Sequence, residues 1–186
     1  MRYKDQLVLT GALDDVGAPI YTNSGDSYRM GVEADASIYV TNKFIVRPNI
    51  AISDNRNIDF MTETETGVRN LGNTEIAFSP SLIAANQLIF IPVNNLQVAL
   101  LTKYVGEQFM DNYESPSSRL PSYLVNDLNV SYEIKPNQIF KSIVLNGLVN
   151  NVFDTEYVSN GAMWGTDPYY YPQAGINFLL GATLKF

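Results

Sequence analysis

Three pairs of neighbouring carboxylates are the first residues in this sequence whose types and spacing could carry out chemistry. The pairs are Asp14 with Asp15, Glu63 with Glu65, and Asp154 with Glu156. Two carboxyl groups can act as the acid and the base of a hydrolytic reaction when rigid elements hold them at a set separation. All three pairs fall in or beside predicted loops. We therefore interpret them as solvated loop carboxylates, with oxygen ligands for a divalent cation as the alternative.

One cluster of aromatic side chains could bind a ligand without catalysing a reaction. Its members are Trp164, Tyr169, Tyr170 and Tyr171, between Gly161 and Pro172. Aromatic rings stack on ring-shaped groups of ligands and often line binding pockets. We predict that these four residues contact a ligand, above all Trp164, which lies farthest from the flanking predicted strands. The alternative for the three tyrosines is an aromatic girdle at a membrane interface.

The composition excludes most other catalytic and metal-binding chemistry. The 186 residues include neither Cys nor His, which rules out a thiolate zinc site, a cysteine nucleophile and a Ser-His-Asp triad. The Gly-containing segment 161–165 is not followed by Lys, as a phosphate-binding loop requires. We predict that the chain is not an enzyme and holds no metal or cofactor. The net charge of −7 also disfavours nucleic acid as a partner, because that partner requires a basic surface.

Alternating apolar and polar residues indicate the strands that must position these groups. In 28–40 the even positions are mostly apolar, whereas the odd positions include Arg29, Glu33 and Asp35. This period of two recurs in 124–134 and 178–186 and is typical of β-strands. It is blurred in 75–91 and 143–153, where we predict strands without assigning faces. Eight strands are predicted, at 3–10, 27–40, 43–58, 74–91, 95–109, 122–135, 141–157 and 175–186.

The connections between the predicted strands alternate in length. Long polar connections cover 11–26, 61–73, 110–121 and 158–174, and short ones cover 41–42, 92–95 and 136–140. Long strands with this alternation are typical of an antiparallel, up-and-down transmembrane β-barrel, with every long loop on one side of the membrane. If the apolar face contacts lipid, the residues that face the lumen include Arg29, Glu33, Asp35 and Arg47.

Several segments resemble the C-terminal barrel strands of TonB-dependent outer-membrane receptors, over nearly the whole chain. They are Tyr-Lys-Asp-Gln-Leu at 3–7, Asp-Val-Gly at 15–17, Ser-Tyr-Arg-Met-Gly-Val-Glu at 27–33, Ile-Ala-Phe-Ser-Pro at 76–80, Asn-Asn-Val-Phe-Asp-Thr-Glu-Tyr at 150–157 and Tyr-Pro-Gln-Ala-Gly at 171–175. Many family members carry Arg where this sequence has Ile176, so no extracellular salt bridge is expected there. The resemblance implies that residues 1–186 form about eight strands of a larger, 22-stranded barrel. It also implies that the plug domain and the signal peptide are absent from this chain.

The resemblance further implies a function and a set of partners. Such receptors lie in the bacterial outer membrane and use energy delivered through TonB to take up scarce nutrients, most often an iron chelate of the siderophore type. The expected partners are the rest of the barrel and the plug, the TonB complex through the missing N-terminal part, outer-membrane lipid and the barrel-assembly machinery.

Two sets of residues receive roles from this resemblance. The residues expected to hold the plug from the lumen are Arg29, Glu33, Asp35 and Arg47. The residues that resemble the C-terminal signal read by the assembly machinery are Gly181, Leu184 and Phe186. An interfacial aromatic side chain is a simpler interpretation of Phe186, and the two roles are compatible.

Two alternatives of other classes stay open at this point. The first is a complete, small eight-stranded outer-membrane barrel with a structural or adhesive role. The second is a soluble ligand-binding β-barrel with an apolar interior.

Overall fold

A computed structural model describes residues 1–64, 67–136 and 139–186, and these are mainly β-structure. The strands in chain order are β1 (Arg2–Tyr3), β2 (Leu7–Leu13), β3 (Pro19–Asn23), β4 (Ser27–Asp35), β5 (Ile38–Thr41), β6 (Phe44–Asn57), β7 (Met61–Thr64), β8 (Gly67–Asn70), β9 (Thr74–Glu75), β10 (Leu82–Val93), β11 (Leu96–Val105), β12 (Gln108–Phe109), β13 (Arg119–Leu120), β14 (Tyr123–Ile134), β15 (Ser142–Asn150), β16 (Val158–Trp164), β17 (Asp167–Pro172) and β18 (Asn177–Lys185). A short 3₁₀ helix covers Pro116–Ser118. No described helix is long and apolar enough to cross a membrane.

One antiparallel sheet, the main sheet, dominates the fold. Its strand order is β1-β4-β6-β10-β11-β14-β15-β18, and β5 and β9 pair with β6 beside this path. This confirms the predicted all-β, up-and-down antiparallel architecture with about eight strands. Within the described ranges, β1 pairs only with β4 and β18 only with β15. The sheet is therefore open, which contradicts the alternative of a complete, closed eight-stranded barrel.

The predicted strand 27–40 is continuous in register but interrupted in hydrogen bonding. Asp35 lies opposite Asn49 and Ile38 lies opposite Val46, so no residue is inserted between β4 and β5. The Ala36 N–H donates to the Pro48 carbonyl oxygen at 3.1 Å, but Pro48 has no N–H to return the bond. The interruption is therefore caused by a proline in the neighbouring strand.

The register assigns a face to each strand of the main sheet, including those that the sequence leaves open. Residues alternate along a strand, and directly paired residues share a face. The apolar face includes Val32, Ile52, Leu88, Leu100, Leu128 and Phe178. The opposite face is mostly polar, but close to the short turns Ile45, Ile89 and Ala99 form a small buried cluster on it.

Four predicted strands extend too far, because the chain turns out of the main sheet within them. The predicted strand 3–10 divides at Asp5 and 74–91 is interrupted around Phe78; both residues have a left-handed φ, of 53°. The strand 141–157 ends at Asn150, and Asn151 then adopts a φ of 50°. The strand 95–109 ends at Val105, before Gly106. Left-handed backbone cannot continue a strand, so Asp5, Phe78 and Asn151 interrupt their predicted strands whatever the hydrophobic pattern.

The long connections are themselves partly folded, and the short ones are tight turns. Three of the long connections contain hairpins, formed by β2 with β3, β7 with β8, and β16 with β17. In one short turn the Thr41 hydroxyl oxygen accepts bonds from the N–H groups of Lys43 and Phe44 at 3.1 and 3.0 Å. The predicted connections 61–73 and 136–140 include residues 65–66 and 137–138, which lie outside the described residues.

Candidate functional site

The first and last long connections join into one small sheet beyond the end of the main sheet. Its strand order is β17-β16-β2-β3, and Met163 of β16 pairs with Ala12 of β2 in parallel orientation. In the chain, the β2–β3 hairpin adjoins the β4 end of the main sheet and the β16–β17 hairpin adjoins the β18 edge. We call these two hairpins, with the connection 106–121, the loop assembly. The pairing of β2 with β16 therefore connects the two opposite edges of the main sheet, on the side where the strands lead into the long connections.

The buried side-chain amide of one residue, Asn112, connects several segments of the loop assembly. Asn112 is only 1% exposed, and its Nδ2 donates to the Leu9 carbonyl oxygen at 2.5 Å. Its Oδ1 accepts from the Ala77 N–H at 2.9 Å and from Asn57 Nδ2 at 3.3 Å. A single side chain thus links β2, the end of β6 and the segment after β9. The sequence gives no sign of this role, because Asn112 lies in a polar stretch typical of loops.

A small apolar core supports the same region. Met110, Leu120 and Met163 are buried together, and Phe78 and Val158 pack against them. The β16–β17 hairpin approaches this core closely at Gly161, where a Cβ atom would lie 2.6 Å from the Met110 sulfur and 2.6 Å from the Tyr169 carbonyl oxygen. Only glycine fits at that contact without displacing its neighbours.

The four predicted ligand-binding aromatics lie on one hairpin, but on two faces of it. The pairing of Ala162 with Tyr169 and of Asn160 with Tyr171 places Trp164, Tyr169 and Tyr171 on one face. All three are roughly half exposed. Tyr170 lies on the opposite face, where its hydroxyl donates to the Ser117 carbonyl oxygen at 3.1 Å. Tyr170 therefore joins two parts of the loop assembly, while the other three rings are open to a ligand.

Two cavities open in this region. The first, the hairpin cavity, has a volume of about 640 Å³ and is lined by residues that include Leu9, Leu13, Phe78, Gln108, Asn160 and Tyr171. Of the predicted aromatics, only Tyr171 is in its lining. Neither composition nor periodicity predicts Phe78 or Gln108 as lining residues, because their proximity depends on how separate loops meet.

The second cavity, the tyrosine cavity, has a volume of about 570 Å³. Tyr123 and Tyr157 both line it, and their ring centroids are 4.6 Å apart with the planes inclined by 31°. Its polar lining includes Asp154, Glu156 and Gln173. No local pattern predicts that these two tyrosines meet, since they are 34 positions apart in the chain and neither belongs to the aromatic cluster.

Two of the carboxylates considered for catalysis, Asp14 and Asp154, have structural uses. Asp14 Oδ1 accepts from the N–H groups of Val16 and Ala18 at 3.0 and 2.8 Å, which shapes the β2–β3 turn. Asp154 Oδ1 accepts from the Ile176 N–H at 2.8 Å. Glu65 lies outside the described residues. In the part of the chain that the structure describes, no group of three or more acidic side chains is placed to hold a metal ion.

A charged cluster lies where the main sheet meets the loop assembly. The Arg56 guanidinium contacts three carboxylates, those of Asp54 at 3.1 Å, Glu75 at 3.3 Å and Glu114 at 3.3 Å. Burial raises the pKa of the Glu75 carboxyl above its ordinary value; Arg56 opposes this shift and Glu114 adds to it. With one cation for three anions, the cluster keeps a net negative charge.

The residues predicted to face a lumen share one face of the main sheet. Glu33 pairs with Ala51 and Asp35 with Asn49, and Arg47 lies two residues before Asn49 on the same side. Arg29 belongs to this face as well, and its guanidinium donates to the Ser79 hydroxyl at 2.9 Å. The structure thus brings the four together on the mostly polar face, while contact with a plug stays a prediction.

Two of the three C-terminal residues predicted to form an assembly signal, Gly181 and Leu184, lie on the edge strand β18, and Phe186 directly follows it. Leu184 and Phe186 follow the alternation of the apolar face, and Gly181 lies on the other face opposite Asn146. The rings of Phe186 and Phe140 have centroids 5.0 Å apart. A Cβ atom at Gly181 would meet nothing within 4 Å. Packing within the chain therefore does not require glycine there, and recognition by the assembly machinery stays a prediction.

Solved structures with a similar fold include three bacterial receptors. The siderophore receptor PiuA from Acinetobacter baumannii superposes with a TM-score of 0.70 and 18% identity, covering 97% of this chain and 24% of its own. The ferric-catecholate import receptor Fiu from E. coli K12 gives 0.67 and 17%, covering 100% of this chain and 24% of its own. The ferric yersiniabactin uptake receptor FyuA from Yersinia pestis gives 0.67 and 17%, covering 97% and 25%. The chain thus spans about a quarter of the length of each of these receptors.

Comparison with protein families gives a match that covers most of the chain. No curated protein matches the sequence. The family model described as "TonB dependent receptor-like, beta-barrel" matches residues 1–152, a range that contains all of the main sheet except its last strand, β18. The predicted family is thereby confirmed: the chain belongs to the TonB-dependent receptor β-barrel family.

Proposed function

We propose that the chain is the C-terminal part of an outer-membrane receptor barrel that takes up a scarce nutrient with energy from TonB. The observation that carries the proposal is the open sheet of eight strands, which superposes over nearly its whole length on a quarter of three receptor barrels. Family members are transport receptors rather than enzymes. An iron chelate of the siderophore type is the proposed substrate class.

The two faces and two ends of the main sheet support an orientation in the membrane. The apolar face would contact lipid, and the mostly polar face would line the lumen. The short turns would then face the periplasm and the loop assembly would face outward, at the mouth of the barrel. Arg29, Glu33, Asp35 and Arg47 would contact the plug by hydrogen bonds and ion pairs.

The unpaired edges support the remaining proposed partners. A strand edge carries free N–H and C=O groups, which must be paired within a lipid bilayer. The free edges at β1 and β18 would pair with the rest of the receptor barrel. The TonB complex would act through a part of the receptor beyond this chain, and the barrel-assembly machinery would recognise β18 through Gly181, Leu184 and Phe186.

Uptake in living cells tests the proposed function. We expect iron-limited cells that carry the receptor to accumulate a radiolabelled ferric chelate, and otherwise identical cells lacking TonB to lose this uptake. The receptor should be found in the outer-membrane fraction in both strains. Uptake that persists without TonB, or recovery of the chain in the cytosol as the soluble alternative requires, would contradict the proposal.

The aromatic face of the β16–β17 hairpin provides a sharper test of the loop assembly. Tyr171→Ala removes a ring that lines the hairpin cavity, and Trp164→Ala removes another ring on the same face. We expect each to lower chelate affinity several-fold, since a stacked aromatic ring contributes about 1 kcal/mol. Phe153→Ala is the matched control, because Phe153 is 68% exposed and lines neither cavity. Equal affinity of all three variants would exclude this face as a ligand contact.

A further inference from the structure

We infer that the loop assembly selects chelates of zero or positive net charge and rejects strongly anionic ones. The inference rests on the proposed function and narrows its substrate class. It follows from three features of the long-loop end: the distribution of charge along the strands, the linings of the two cavities, and the partners of the nearby arginines.

Charge is distributed unequally between the two ends of the main sheet. The chain has 12 basic and 19 acidic residues. Four lysines lie in or beside the short turns, accompanied there by one acidic residue, Glu133; these lysines are Lys43, Lys135, Lys141 and Lys185. The rest of the chain, including the loop assembly, is therefore more acidic than the net charge of −7 indicates. A ligand approaching from the long-loop side meets a negative potential.

The linings of the two cavities agree with this distribution. Among the described residues, neither the hairpin cavity nor the tyrosine cavity has Lys or Arg in its lining. The hairpin cavity is lined only by uncharged residues, whereas Asp154 and Glu156 line the tyrosine cavity. A neutral ligand can pack on the rings of these cavities, and a cationic ligand can also approach the two carboxylates.

Three of the arginines close to the loop assembly are already paired with carboxylates. Arg2 contacts Asp26 at 3.1 Å, Arg119 contacts Glu107, and Arg56 contacts three acidic side chains. Anionic ligands are commonly held by guanidinium groups that offer two parallel N–H donors. Here such a ligand would have to displace a carboxylate from its arginine while it lost its own hydration beside other anions. This cost disfavours anionic chelates at the mouth.

Binding of three ferric chelates of different charge tests the inference. The ligands are a trianionic ferric tris-catecholate, a neutral ferric trihydroxamate and a monocationic ferric trihydroxamate, each titrated into the intact receptor in detergent at low salt. We expect the neutral and cationic chelates to bind at least about tenfold more tightly than the anionic one, and added salt to weaken only the cationic one. Equal or tighter binding of the anionic chelate would overturn the inference.

A charge-reversing substitution in the tyrosine cavity tests whether the charge preference arises from residues of this chain. Glu156 is exposed and lines that cavity, and Glu156→Lys should strengthen binding of the anionic chelate by about tenfold and weaken binding of the cationic one. Asp15→Lys is the matched control, since Asp15 is also exposed but lines neither cavity. Unchanged affinity for the neutral chelate shows that the variants are folded. If Glu156→Lys and Asp15→Lys give the same affinities, the inference is wrong.

Different results would contradict the charge inference and the proposed function. If the receptor takes up a ferric chelate through TonB but prefers the anionic one, the charge inference fails and the proposed function stands. If no chelate is bound or taken up, the proposed function fails and the charge inference falls with it.

Discussion

The main sheet and the loop assembly are stabilised by different kinds of contact. In the main sheet, β11 and β14 pair without a shift from Leu96 opposite Tyr132 to Val105 opposite Tyr123, and the backbone supplies the bonds. In the loop assembly the parallel pairing of β2 with β16 rests on one residue pair. Side chains, above all Asn112, supplement isolated backbone bonds such as that from the Phe78 N–H to the Phe109 carbonyl oxygen at 2.8 Å. The main sheet should therefore tolerate substitutions that the loop assembly cannot.

This difference explains why receptors of low identity share the fold. Backbone ladders require only alternating apolar and polar residues, which many sequences satisfy. PiuA is 18% identical yet superposes with a TM-score of 0.70. Contacts such as that of Asn112 with Leu9 depend on one particular residue, so the loop assembly can diverge with the ligand. Four substitutions test this difference between the two regions.

Asn112→Ala should have the largest effect on the loop assembly. It leaves the Ala77 N–H and the Leu9 carbonyl oxygen without their partner, and unpaired buried polar groups cost about 1–3 kcal/mol each. We expect faster amide hydrogen exchange in β2 and around Ala77, with unchanged exchange in β11 and β14. Asn94→Ala, at an exposed short-turn position, is the control. Equal exchange in the two variants would contradict the proposed importance of the amide.

Gly161→Ala compares the two regions with one and the same substitution. The added methyl group meets the Met110 sulfur and the Tyr169 carbonyl oxygen, and forced overpacking of this kind costs about 1–3 kcal/mol. Gly181→Ala in the main sheet adds the same group into open space. We expect limited proteolysis to cleave the loop assembly faster in the first variant only. Similar proteolysis of both variants would show that the close contact at Gly161 is not limiting.

Tyr170→Phe should weaken the loop assembly less. It removes the hydroxyl bond to the Ser117 carbonyl oxygen and keeps the ring, at a cost of about 1 kcal/mol. Tyr169→Phe is the matched control on the opposite face of the same strand. The expected readout is faster proteolysis in 110–121 for Tyr170→Phe alone, with chelate affinity little changed. A larger loss of affinity than for Tyr171→Ala would instead place Tyr170 in the ligand site.

The smallest effect is expected from Glu75→Gln, and it should depend on pH. Because the pKa of Glu75 is raised in the folded protein, its stabilising contribution is complete below the ordinary pKa of Glu and is lost as the pH rises through the folded pKa. The Gln variant has no proton to lose. Its loop assembly should therefore resist proteolysis slightly better than wild type at neutral pH and equally well in acid. Lower resistance at neutral pH would show that the ion pair with Arg56 outweighs burial.

The sequence predicts the main sheet well because its signals are local. The alternation correctly groups Arg29, Glu33, Asp35 and Arg47 on one face, as the register shows. The errors occur where a single residue turns the chain, as at Phe78 and Asn151, whose left-handed backbone leaves no periodic trace. For 75–91 and 143–153, neighbouring strands decide the face, so only the register could assign it.

The candidate site could be predicted only in part. The aromatic cluster predicts a ligand contact on the β16–β17 hairpin, since four rings in one loop are visible in the sequence, and this contact stays a prediction. Its division into three open rings and one that contacts Ser117 requires the pairing of Ala162 with Tyr169. The stacking of Tyr123 on Tyr157 and the contacts of Asn112 join distant parts of the chain. They depend on how the loops meet, which no local pattern encodes.

Pro48 has a mechanical consequence for the barrel wall. Where Pro48 lies opposite Ala36, only one of the two backbone hydrogen bonds of the pair forms. The Ala36 carbonyl oxygen accepts no bond from β6 there, because Pro48 has no N–H. The main sheet should therefore bend more easily at this pair than at the neighbouring pairs of Ala34 with Ile50 and of Val32 with Ile52. When the main sheet deforms, the bending would concentrate at this pair, near the short turns, and the end that carries the long connections would be spared.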